Sequence, residues 1–254
     1  LPHTFGLYET DNVDQLYSEV MSKPNLGGLA ITIPLKVDIL KYVSELSTSA
    51  EHIKAVNTVI PLGNGKFKGD NTDWIGIRDS FYNSGFPEVS NVDVSGLVVG
   101  AGGTSRAAIF ALKNMGVKTI YILNRTVSKL VDIKNSFPED YNIEVIQSIE
   151  DAKAAKPVSL IVNCIPSDKP IDEFVLGCYR EILPKKSTLS FDSVLLEAAY
   201  KPLVTSVMKV AQEEYGWKVI PGTYMLVNQG IAQFRIWNGI IPSYEKAVGA
   251  VCQS

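Results

Sequence analysis

Short runs of apolar residues alternate with segments of helical spacing along most of this chain. From Leu97 onward, apolar runs typical of buried strands recur, and the stretches between them have the periodicity of amphipathic helices. These strands are predicted near 97–99, 118–123, 143–146, 158–163, 188–192 and 217–220. Strands that alternate with helices favour a parallel sheet covered by helices. The sequence therefore predicts an α/β fold with a Rossmann-like, doubly wound parallel sheet.

The two ends of the chain have a different pattern, in which short strands mix with helical segments. Strands are predicted at 5–9, 27–33, 57–62 and 66–69, and helical segments at 13–21, 37–46, 47–54, 73–83, 224–237 and 244–251. Apolar spacing does not decide whether the last two helices cover the large sheet or pack on the front section. We predict a smaller α/β substrate domain from residues 1–72 and 222–254, and a dinucleotide-binding domain from residues 73–221.

Composition narrows the class of protein. Of the 254 residues, 46% are hydrophobic and 20% are charged, which is ordinary for a globular chain with a substantial core. The net charge of −3 gives no attraction to nucleic acid or an anionic membrane. No apolar run is long enough to cross a bilayer, and the three cysteines lack metal-site spacing. We expect a cytoplasmic protein with no metal, nucleic-acid or membrane partner. Because it does not begin with Met, we also expect it to be part of a longer polypeptide.

A glycine-rich turn follows the first strand of the predicted large sheet. Gly100, Ala101, Gly102 and Gly103 lie between the strand at 97–99 and a helix. Glycine lets the backbone turn sharply and approach a diphosphate, which main-chain N–H groups at the start of the helix can bind. The match to G-x-G-x-x-G is partial, but a strand, a helix and a second strand surround it in the expected order. The turn is therefore predicted to hold the phosphates of a dinucleotide.

The end of the second strand indicates which dinucleotide binds. An acidic residue at this place binds the ribose 2′-hydroxyl of NAD, whereas a cation suits the 2′-phosphate of NADP. Here Asn124, Arg125, Thr126 and Lys129 follow the strand, with no carboxylate among residues 124–129. Arg125 can hold a phosphate through two N–H groups, and Lys129 adds a second positive charge one turn along. We therefore predict NADP as the cofactor.

The polar residues most typical of a reaction site lie in the front section and at the start of the helix that follows it. Lys36 comes just after a predicted strand that Pro34 ends, because proline donates no ladder hydrogen bond. Two Asn-Thr pairs, at 57–58 and 71–72, precede Asp73 at the predicted start of a helix. A solvated lysine and a helix-capping aspartate are common in any protein, so spacing alone leaves both alternatives open.

Taken together, these motifs resemble those of a known family. The chain carries Thr-x-Pro-x-Lys at 32–36, Ala-Val-Asn-Thr at 55–58, Asn-Thr-Asp-x-x-Gly at 71–76, Gly-Ala-Gly-Gly-x-x-Arg-Ala at 100–107, Asn-Arg-Thr at 124–126, Tyr-x-Pro-x-x-Thr at 200–205, Gly-x-x-Met-Leu-x-x-Gln at 222–229 and Trp-x-Gly at 237–239. In this order they resemble the shikimate dehydrogenases, most closely those at the C-terminal end of the multifunctional arom polypeptide of fungi. The matches extend through nearly the whole chain, so their joint specificity is high although each motif alone is weak.

The resemblance implies the reversible reduction of 3-dehydroshikimate to shikimate by NADPH, in a cleft between the two domains. It also implies that other enzyme domains of the shikimate pathway, which leads to the aromatic amino acids, are joined upstream. By the same resemblance, Lys36 donates a proton and stabilises the developing alkoxide, and Asp73 binds and orients the same hydroxyl. The implied substrate-binding residues are Thr32, Asn57, Tyr200 and Gln229. Gly222 and Met225 are implied to bind the cofactor, together with the glycine turn and residues 124–129.

Three departures from the family pattern and two alternatives accompany this interpretation. The family's Ser-x-Ser motif for the substrate carboxylate is absent, Ala30 replaces an asparagine of the lysine motif, and residues 163–168 replace a loop near the nicotinamide. We therefore predict that this chain binds shikimate poorly.

One alternative is a non-catalytic domain that senses quinate or shikimate, and the retained Lys36 and Asp73 argue against it. The other is an NAD-dependent quinate dehydrogenase, against which Arg125 argues.

Overall fold

The front section folds around a small four-stranded sheet. The structure is a computed structural model and describes residues 3–89, 93–167, 170–184 and 192–252. The strands are β1 (Leu29–Ala30), β2 (Glu45–Leu46), β3 (Thr58–Gly63) and β4 (Lys66–Asp70), in the spatial order β1-β3-β4-β2. β3 and β4 form an antiparallel hairpin. Its turn residues Asn64 and Gly65 both have positive φ, as tight hairpin turns require.

Short helical segments pack against this sheet through their apolar residues. They are α1 (Val13–Leu16), which continues as a π-helix (Tyr17–Met21), a 3₁₀-helix (Asp38–Tyr42) and α2 (Thr48–Ile53). The Asn12 side chain caps α1 by accepting hydrogen bonds from the N–H groups of Asp14 and Gln15. Ile39 of the 3₁₀-helix and Val59 of β3 are both fully buried in the apolar core of this section. The small mixed α/β front section is thus as predicted.

The middle of the chain forms a parallel sheet of six strands. They are β5 (Ser95–Val99), β6 (Thr119–Leu123), β7 (Ile143–Ile146), β8 (Val158–Asn163), β9 (Val194–Glu197) and β10 (Lys218–Ile220), in the order β10-β9-β8-β5-β6-β7. Every neighbouring pair is parallel. The chain proceeds outward from β5 to β7 and then returns to β8, so the strand order reverses between β5 and β8. This confirms the predicted doubly wound sheet, whose ligand crevice lies at the carboxyl ends of those two strands.

Both faces of the large sheet are covered, which explains the uninterrupted apolar runs of its strands. The helices of this region are α3 (Asp73–Asn83), α4 (Gly103–Asn114), α5 (Val127–Ser136), α6 (Ile149–Ala154), α7 (Glu173–Ile182) and α8 (Ser206–Lys209), with a 3₁₀-helix (Glu139–Tyr141) after α5 and a π-helix (Val210–Glu214) after α8. Successive strand residues enter opposite cores, because side chains alternate across a sheet. Val98 lies in one core, whereas Leu97 and Val99 lie in the other.

Two C-terminal helices, α9 (Gly222–Asn238) and α10 (Tyr244–Cys252), complete the fold. α9 packs along α3 so closely that a Cβ at Gly76 would lie 2.7 Å from the carbonyl oxygen of Met225. Farther along α9, the indole N–H of Trp237 donates to the carbonyl of Val59 in β3 at 3.1 Å. Helix α9 therefore packs on the front section as well as on α3. Apolar spacing had not decided where this helix packs. The domain boundaries after 72 and 221 stay a prediction.

Two predicted strands of the front section are wrong or shortened. Residues 5–9 form no strand, and the strand expected at 27–33 is only the two residues of β1. After β1 the carbonyl of Thr32 accepts a hydrogen bond from the N–H of Leu35, so the chain turns instead of extending. Apolar residues at these positions made both stretches look like strands, but only Leu29 and Ala30 pair with β3.

Two further predicted elements also differ. The helix expected at 37–46 is a 3₁₀-helix followed by β2, because Glu45–Leu46 pairs in parallel with Lys68–Gly69, a contact that local spacing does not contain. The strand expected at 188–192 falls mostly on residues 185–191, which lie outside the described residues, and the observed strand β9 begins at Val194.

Among the described residues, no helix has both the length and the apolar character needed to cross a bilayer.

Candidate active site

Lys36 and Asp73 form an ion pair at the junction of the two sheets. Nζ of Lys36 donates to Oδ2 of Asp73 at 2.7 Å, and the two side chains are only 12% and 5% exposed. The backbone of Lys36 is held because its carbonyl accepts a hydrogen bond from the N–H of Val56 at 2.7 Å. The structure thus brings together the two residues that the sequence singled out for chemistry, although 37 positions separate them.

Asp73 is placed by the residue two positions before it. It is the first residue of α3, where a carboxylate interacts favourably with the helix dipole. Oδ1 of Asn71 accepts from the N–H of Asp73 at 3.0 Å, and Nδ2 of Asn71 donates to the carbonyl of Ala55 at 2.8 Å. Asn71 is fully buried. It was missed as a site residue, although its place in the Asn-Thr-Asp motif was a usable signal.

Asn57 holds the other oxygen of the same carboxylate. Its Nδ2 donates to Oδ1 of Asp73 at 2.8 Å and to Oγ1 of Thr72 at 2.9 Å. Its Oδ1 accepts from the N–H of Thr72 at 2.8 Å and from the hydroxyl of Thr58 at 2.7 Å. Because both ends of this buried amide are bonded, its orientation is fixed. Asp73 is therefore held by Lys36 through one oxygen and by Asn57 through the other.

Gln229 brings α9 into this group. Its Oε1 lies 3.3 Å from both Nδ2 of Asn57 and Oγ1 of Thr72, and the hydroxyl of Thr72 donates to it, since Asn57 Nδ2 already donates to Asp73 and Thr72. Its Nε2 donates to the carbonyl of Leu226 at 3.0 Å, which leaves a second N–H of the amide for another acceptor. We call Lys36, Asn57, Asp73 and Gln229 the Lys36 cluster.

Gln233, one turn after Gln229, supports the cluster and was missed by the sequence analysis. Its Nε2 donates to the carbonyl of Asn57 at 3.0 Å and to the hydroxyl of Thr58 at 3.1 Å. The i, i+4 spacing from Gln229 puts both glutamines on one face of α9, a signal that could have been used. Through this contact α9 is fastened to the start of β3.

Two predicted substrate-binding residues lie outside this hydrogen-bonded group. Thr32 is exposed in the turn after β1, and Tyr200 is 45% exposed after β9. Within the described part of the chain, neither side chain has a hydrogen bond to the Lys36 cluster. Their roles remain predictions that a bound substrate would test.

The glycine turn lies directly beside Lys36. A Cβ at Gly103 would lie 3.2 Å from the Cβ of Lys36, a contact tighter than most, so glycine favours this close approach of the turn to the lysine. Gly100 has a φ of 119°, which side chains other than glycine rarely adopt. A Cβ at Gly102 would meet nothing within 4 Å. The hydroxyl of Ser105 accepts from the N–H of Gly102 at 3.3 Å, but Gly102, the N-cap, has no side chain to bond the first N–H groups of α4. The open side of the turn at the start of α4 can therefore accept an anion.

Residues 124–129, which we call the Arg125 segment, follow β6 at the same edge of the sheet. Nδ2 of Asn124 donates to the carbonyl of Thr126 at 3.1 Å, which shapes the turn into α5. Arg125, Thr126 and Lys129 are exposed. Neither cation makes an ion pair with another of the described residues. Both charges are thus available to a phosphate.

The two predicted cofactor residues of α9 are more enclosed. A Cβ at Gly222 would lie 2.4 Å from the carbonyl oxygen of Ala199, so the start of α9 sits tightly against the segment after β9. Met225 is 6% exposed and lies in the core that also contains Val98. A residue in the core can also line a pocket, so this burial is compatible with contact between Met225 and the nicotinamide. That role remains a prediction.

The loop after β8 forms part of the same crevice. The N–H of Cys164 donates to the carbonyl of Val99 at 2.7 Å, at the point where the strand order reverses. Burial raises the pKa of the Cys164 thiol to about 12, so the thiol is neutral near pH 7. Asp168, at the end of the departing motif, lies outside the described residues.

Three family models match the chain in order. They describe the shikimate dehydrogenase substrate binding domain (residues 2–59), shikimate / quinate 5-dehydrogenase (84–175) and the shikimate 5′-dehydrogenase C-terminal domain (222–252). The solved shikimate dehydrogenase of Aquifex aeolicus is 36% identical, with 87% of this chain and 76% of that chain covered and a TM-score of 0.69. The chain belongs to the shikimate dehydrogenase family. The resemblance inferred from the motifs is confirmed.

Two further members show how this domain occurs elsewhere. Shikimate 5-dehydrogenase of Thermus thermophilus, solved in complex with NADP(H) and shikimate, is 28% identical, with 91% of this chain and 80% of that chain covered and a TM-score of 0.71. The pentafunctional AROM polypeptide of Clavispora lusitaniae is 55% identical, with 99% of this chain covered. The chain spans 16% of the length of that polypeptide.

Proposed function

We propose that this chain catalyses the NADP-dependent, reversible reduction of 3-dehydroshikimate to shikimate, a step toward the aromatic amino acids. The observation that carries the proposal is the 2.7 Å contact between Nζ of Lys36 and Oδ2 of Asp73 beside the glycine turn. Membership of the shikimate dehydrogenase family supports it. Because the AROM relative is pentafunctional and much longer, we further propose that the chain works while joined to other domains of the pathway.

The residues at the crevice fit NADP at both of its phosphate groups. The start of α4, whose N-cap Gly102 has no side chain and leaves open space, suits the diphosphate, and the exposed Arg125 and Lys129 suit the 2′-phosphate. The Thermus relative, solved with NADP(H), supports this choice. When bound, the cofactor supplies a hydride to the substrate carbonyl carbon. The residues proposed to bind it are Gly100, Ala101, Gly102, Gly103, Asn124, Arg125, Thr126, Lys129, Gly222 and Met225.

Lys36 is proposed as the proton donor in the reduction. As the carbonyl carbon is reduced, negative charge develops on its oxygen, and the ammonium group of Lys36 donates a proton to that oxygen. Asp73 keeps the ammonium group in place through Oδ2 and accepts a hydrogen bond from the hydroxyl that forms. In the direction of oxidation, the neutral amine of Lys36 takes the proton back.

The remaining residues are proposed to orient the substrate ring. Gln229 can donate its second amide N–H to a ring hydroxyl while its oxygen stays bonded to the hydroxyl of Thr72. Asn57 is bonded at both ends, so it acts first by orienting Asp73, and it contacts the substrate only if one of these bonds opens. Thr32 and Tyr200, both exposed, are proposed to bind the ring substituents farther from the reacting carbon.

The proposal is tested by measuring kcat/KM for four pairs: NADPH or NADH with 3-dehydroshikimate or 3-dehydroquinate. We expect the highest value for NADPH with 3-dehydroshikimate. The highest value for NADH with 3-dehydroquinate would instead support the quinate dehydrogenase alternative. No turnover with any pair, together with measurable binding of shikimate or quinate, would support the sensing domain and overturn the proposed activity.

A further inference from the structure

A buried carboxylate at the carboxyl end of β9 has no part in the reaction proposed above. Glu197 is the last residue of this strand and is fully buried. Burial raises its pKa, and hydrogen bonds that donate to the carboxylate counteract this in part. A buried acid is costly to keep, so its partners are informative about its role.

The partners of Glu197 come from two strand ends and the loop beyond them. Its Oε2 accepts from Nδ2 of Asn163 at 2.8 Å and from the hydroxyl of Thr205 at 2.8 Å. Its Oε1 accepts from the backbone N–H of Ala199 at 3.1 Å. The hydroxyl of Tyr179 donates to Oδ1 of Asn163 at 3.1 Å, which turns the NH₂ of that amide toward the carboxylate. Three donors thus converge on one acceptor group.

These bonds close the segment 198–205 into a loop that is tied at both ends. Ala199 near its start and Thr205 at its end bind the same carboxylate, and Tyr200 lies between them. The hydroxyl of Ser167 also donates to the carbonyl of Lys201 at 2.5 Å, which joins the loop to the segment after β8. The backbone position of Tyr200 therefore depends on Glu197.

The backbone of Glu197 and Ala199 also packs directly against the start of α9. A Cβ at Gly222 would lie 2.7 Å from the carbonyl oxygen of Glu197 and 2.4 Å from that of Ala199. Since α9 carries Gln229 of the Lys36 cluster, a shift of the segment after β9 would move α9 and change the position of that glutamine. Packing this tight allows little independent movement.

We propose that Glu197 is a positioning residue for the substrate: it fixes the 198–205 loop and the start of α9, so that Tyr200 and Gln229 face the bound ring. This inference rests on the proposed function. A carboxylate suits the position because an ionised acid only accepts hydrogen bonds. The amide of a glutamine would present an NH₂ group to at least one of the three donors.

The test compares Glu197→Gln and Thr205→Val with the parent chain in steady-state kinetics. Each should raise KM for 3-dehydroshikimate about tenfold, as expected for the loss of one hydrogen bond to a charged acceptor. KM for NADPH should rise less than KM for 3-dehydroshikimate, because the glycine turn and the Arg125 segment do not contact Glu197, and only Gly222 and Met225 of the proposed cofactor residues lie on α9. Thr205→Ser keeps the hydroxyl and should restore the parental KM.

Val194→Ala, a cavity-forming change in the same strand, is the control for a purely structural role. It should lower the amount of folded protein and leave both KM values unchanged, because it touches no hydrogen bond of Glu197. A parental KM for 3-dehydroshikimate in both Glu197→Gln and Thr205→Val would overturn the positioning role while the proposed activity stands. A parent chain without dehydrogenase activity would overturn the proposed function, and the positioning role with it.

Discussion

The Lys36 cluster and the Arg125 segment both carry positive charge to the crevice, but they differ in how that charge is held. Lys36 is nearly buried and paired with Asp73, whose second oxygen is bonded to Asn57. Arg125 and Lys129 are exposed, and neither forms an ion pair within the described parts of the chain. One set of charges is fixed before any ligand arrives, whereas the other is held by its ligand.

The difference follows from what each set is proposed to do. A group that transfers a proton gains from being held in place beforehand, because no reorganisation is then needed during the reaction. A group that only recognises a phosphate can stay solvated until the phosphate binds. Changes in the Lys36 cluster should therefore affect turnover and folding, and changes in the Arg125 segment should affect cofactor affinity alone.

The largest expected effect is that of Lys36→Ala. Removing the proton donor should lower kcat by about 10²–10⁴-fold, while NADPH still binds with the parental Kd. Turnover is measured with saturating NADPH and 3-dehydroshikimate, and Kd by titration. Lys66→Ala, which removes an exposed lysine of β4, is the control and should behave as the parent. Similar turnover in the Lys36 variant and the parent would remove Lys36 from the mechanism.

Asn57→Ala should have the next largest effect, on stability. It leaves the N–H of Thr72 and the hydroxyl of Thr58 buried without their acceptor. We expect the free energy of unfolding to fall by about 3 kcal/mol, as for buried polar groups that lose their partners. Urea denaturation measures this. Asn124→Ala removes an amide from the Arg125 segment and should change stability by no more than about 0.5 kcal/mol. Equal losses in the two variants would contradict the contrast between the regions.

Arg125→Ala tests the proposed role of the Arg125 segment in cofactor affinity. It should weaken NADPH binding by about 1.5–3 kcal/mol, the range for a hydrogen bond to a charged group. NADH, which lacks the 2′-phosphate, should lose far less affinity. Isothermal titration with both cofactors measures the difference. Arg180→Ala, which removes an exposed arginine of α7, is the matched control. An equal loss for NADPH and NADH would contradict the assignment of Arg125 to the 2′-phosphate.

Lys129→Ala should have the smallest effect. An exposed charge contributes about 0.5–1 kcal/mol to an ion pair, and salt screens it. NADPH affinity should therefore fall slightly at low ionic strength and match the parent at high ionic strength. Lys134→Ala on the same helix is the control and should not change the affinity. A loss that is independent of salt would mean that Lys129 does more than supply a screened charge.

Local signals were enough to predict the large sheet and the glycine turn. The apolar runs of β5, β6 and β8 are long enough to identify strands, because both faces of this sheet are buried. The turn at 100–103 needs glycine at Gly100 for its backbone geometry and favours it at Gly103 beside Lys36, so residue type itself indicated the site. Motif order then identified the family, which the comparisons confirm.

The small sheet was predicted less well. β1 and β2 are two residues long, and each exists only because a distant strand pairs with it. The supporting residues were missed for a related reason. Asn71 and Glu197 are polar residues that would ordinarily be exposed. The Asn-Thr-Asp motif could have marked Asn71, but local sequence does not identify Ala55 as its buried partner or Asn163 as that of Glu197.

The chain itself thus determined the elements with a regular apolar period and the residue types that a dehydrogenase site requires. Tertiary packing decided which of those residues meet: Lys36 reaches Asp73 across 37 positions, and Asn57 reaches Gln229 across 172. The physical reason is that a periodic pattern reports only the burial of one face of an element. A hydrogen bond, in contrast, requires donor and acceptor atoms to be placed to within a few tenths of an ångström, on elements that are far apart along the chain.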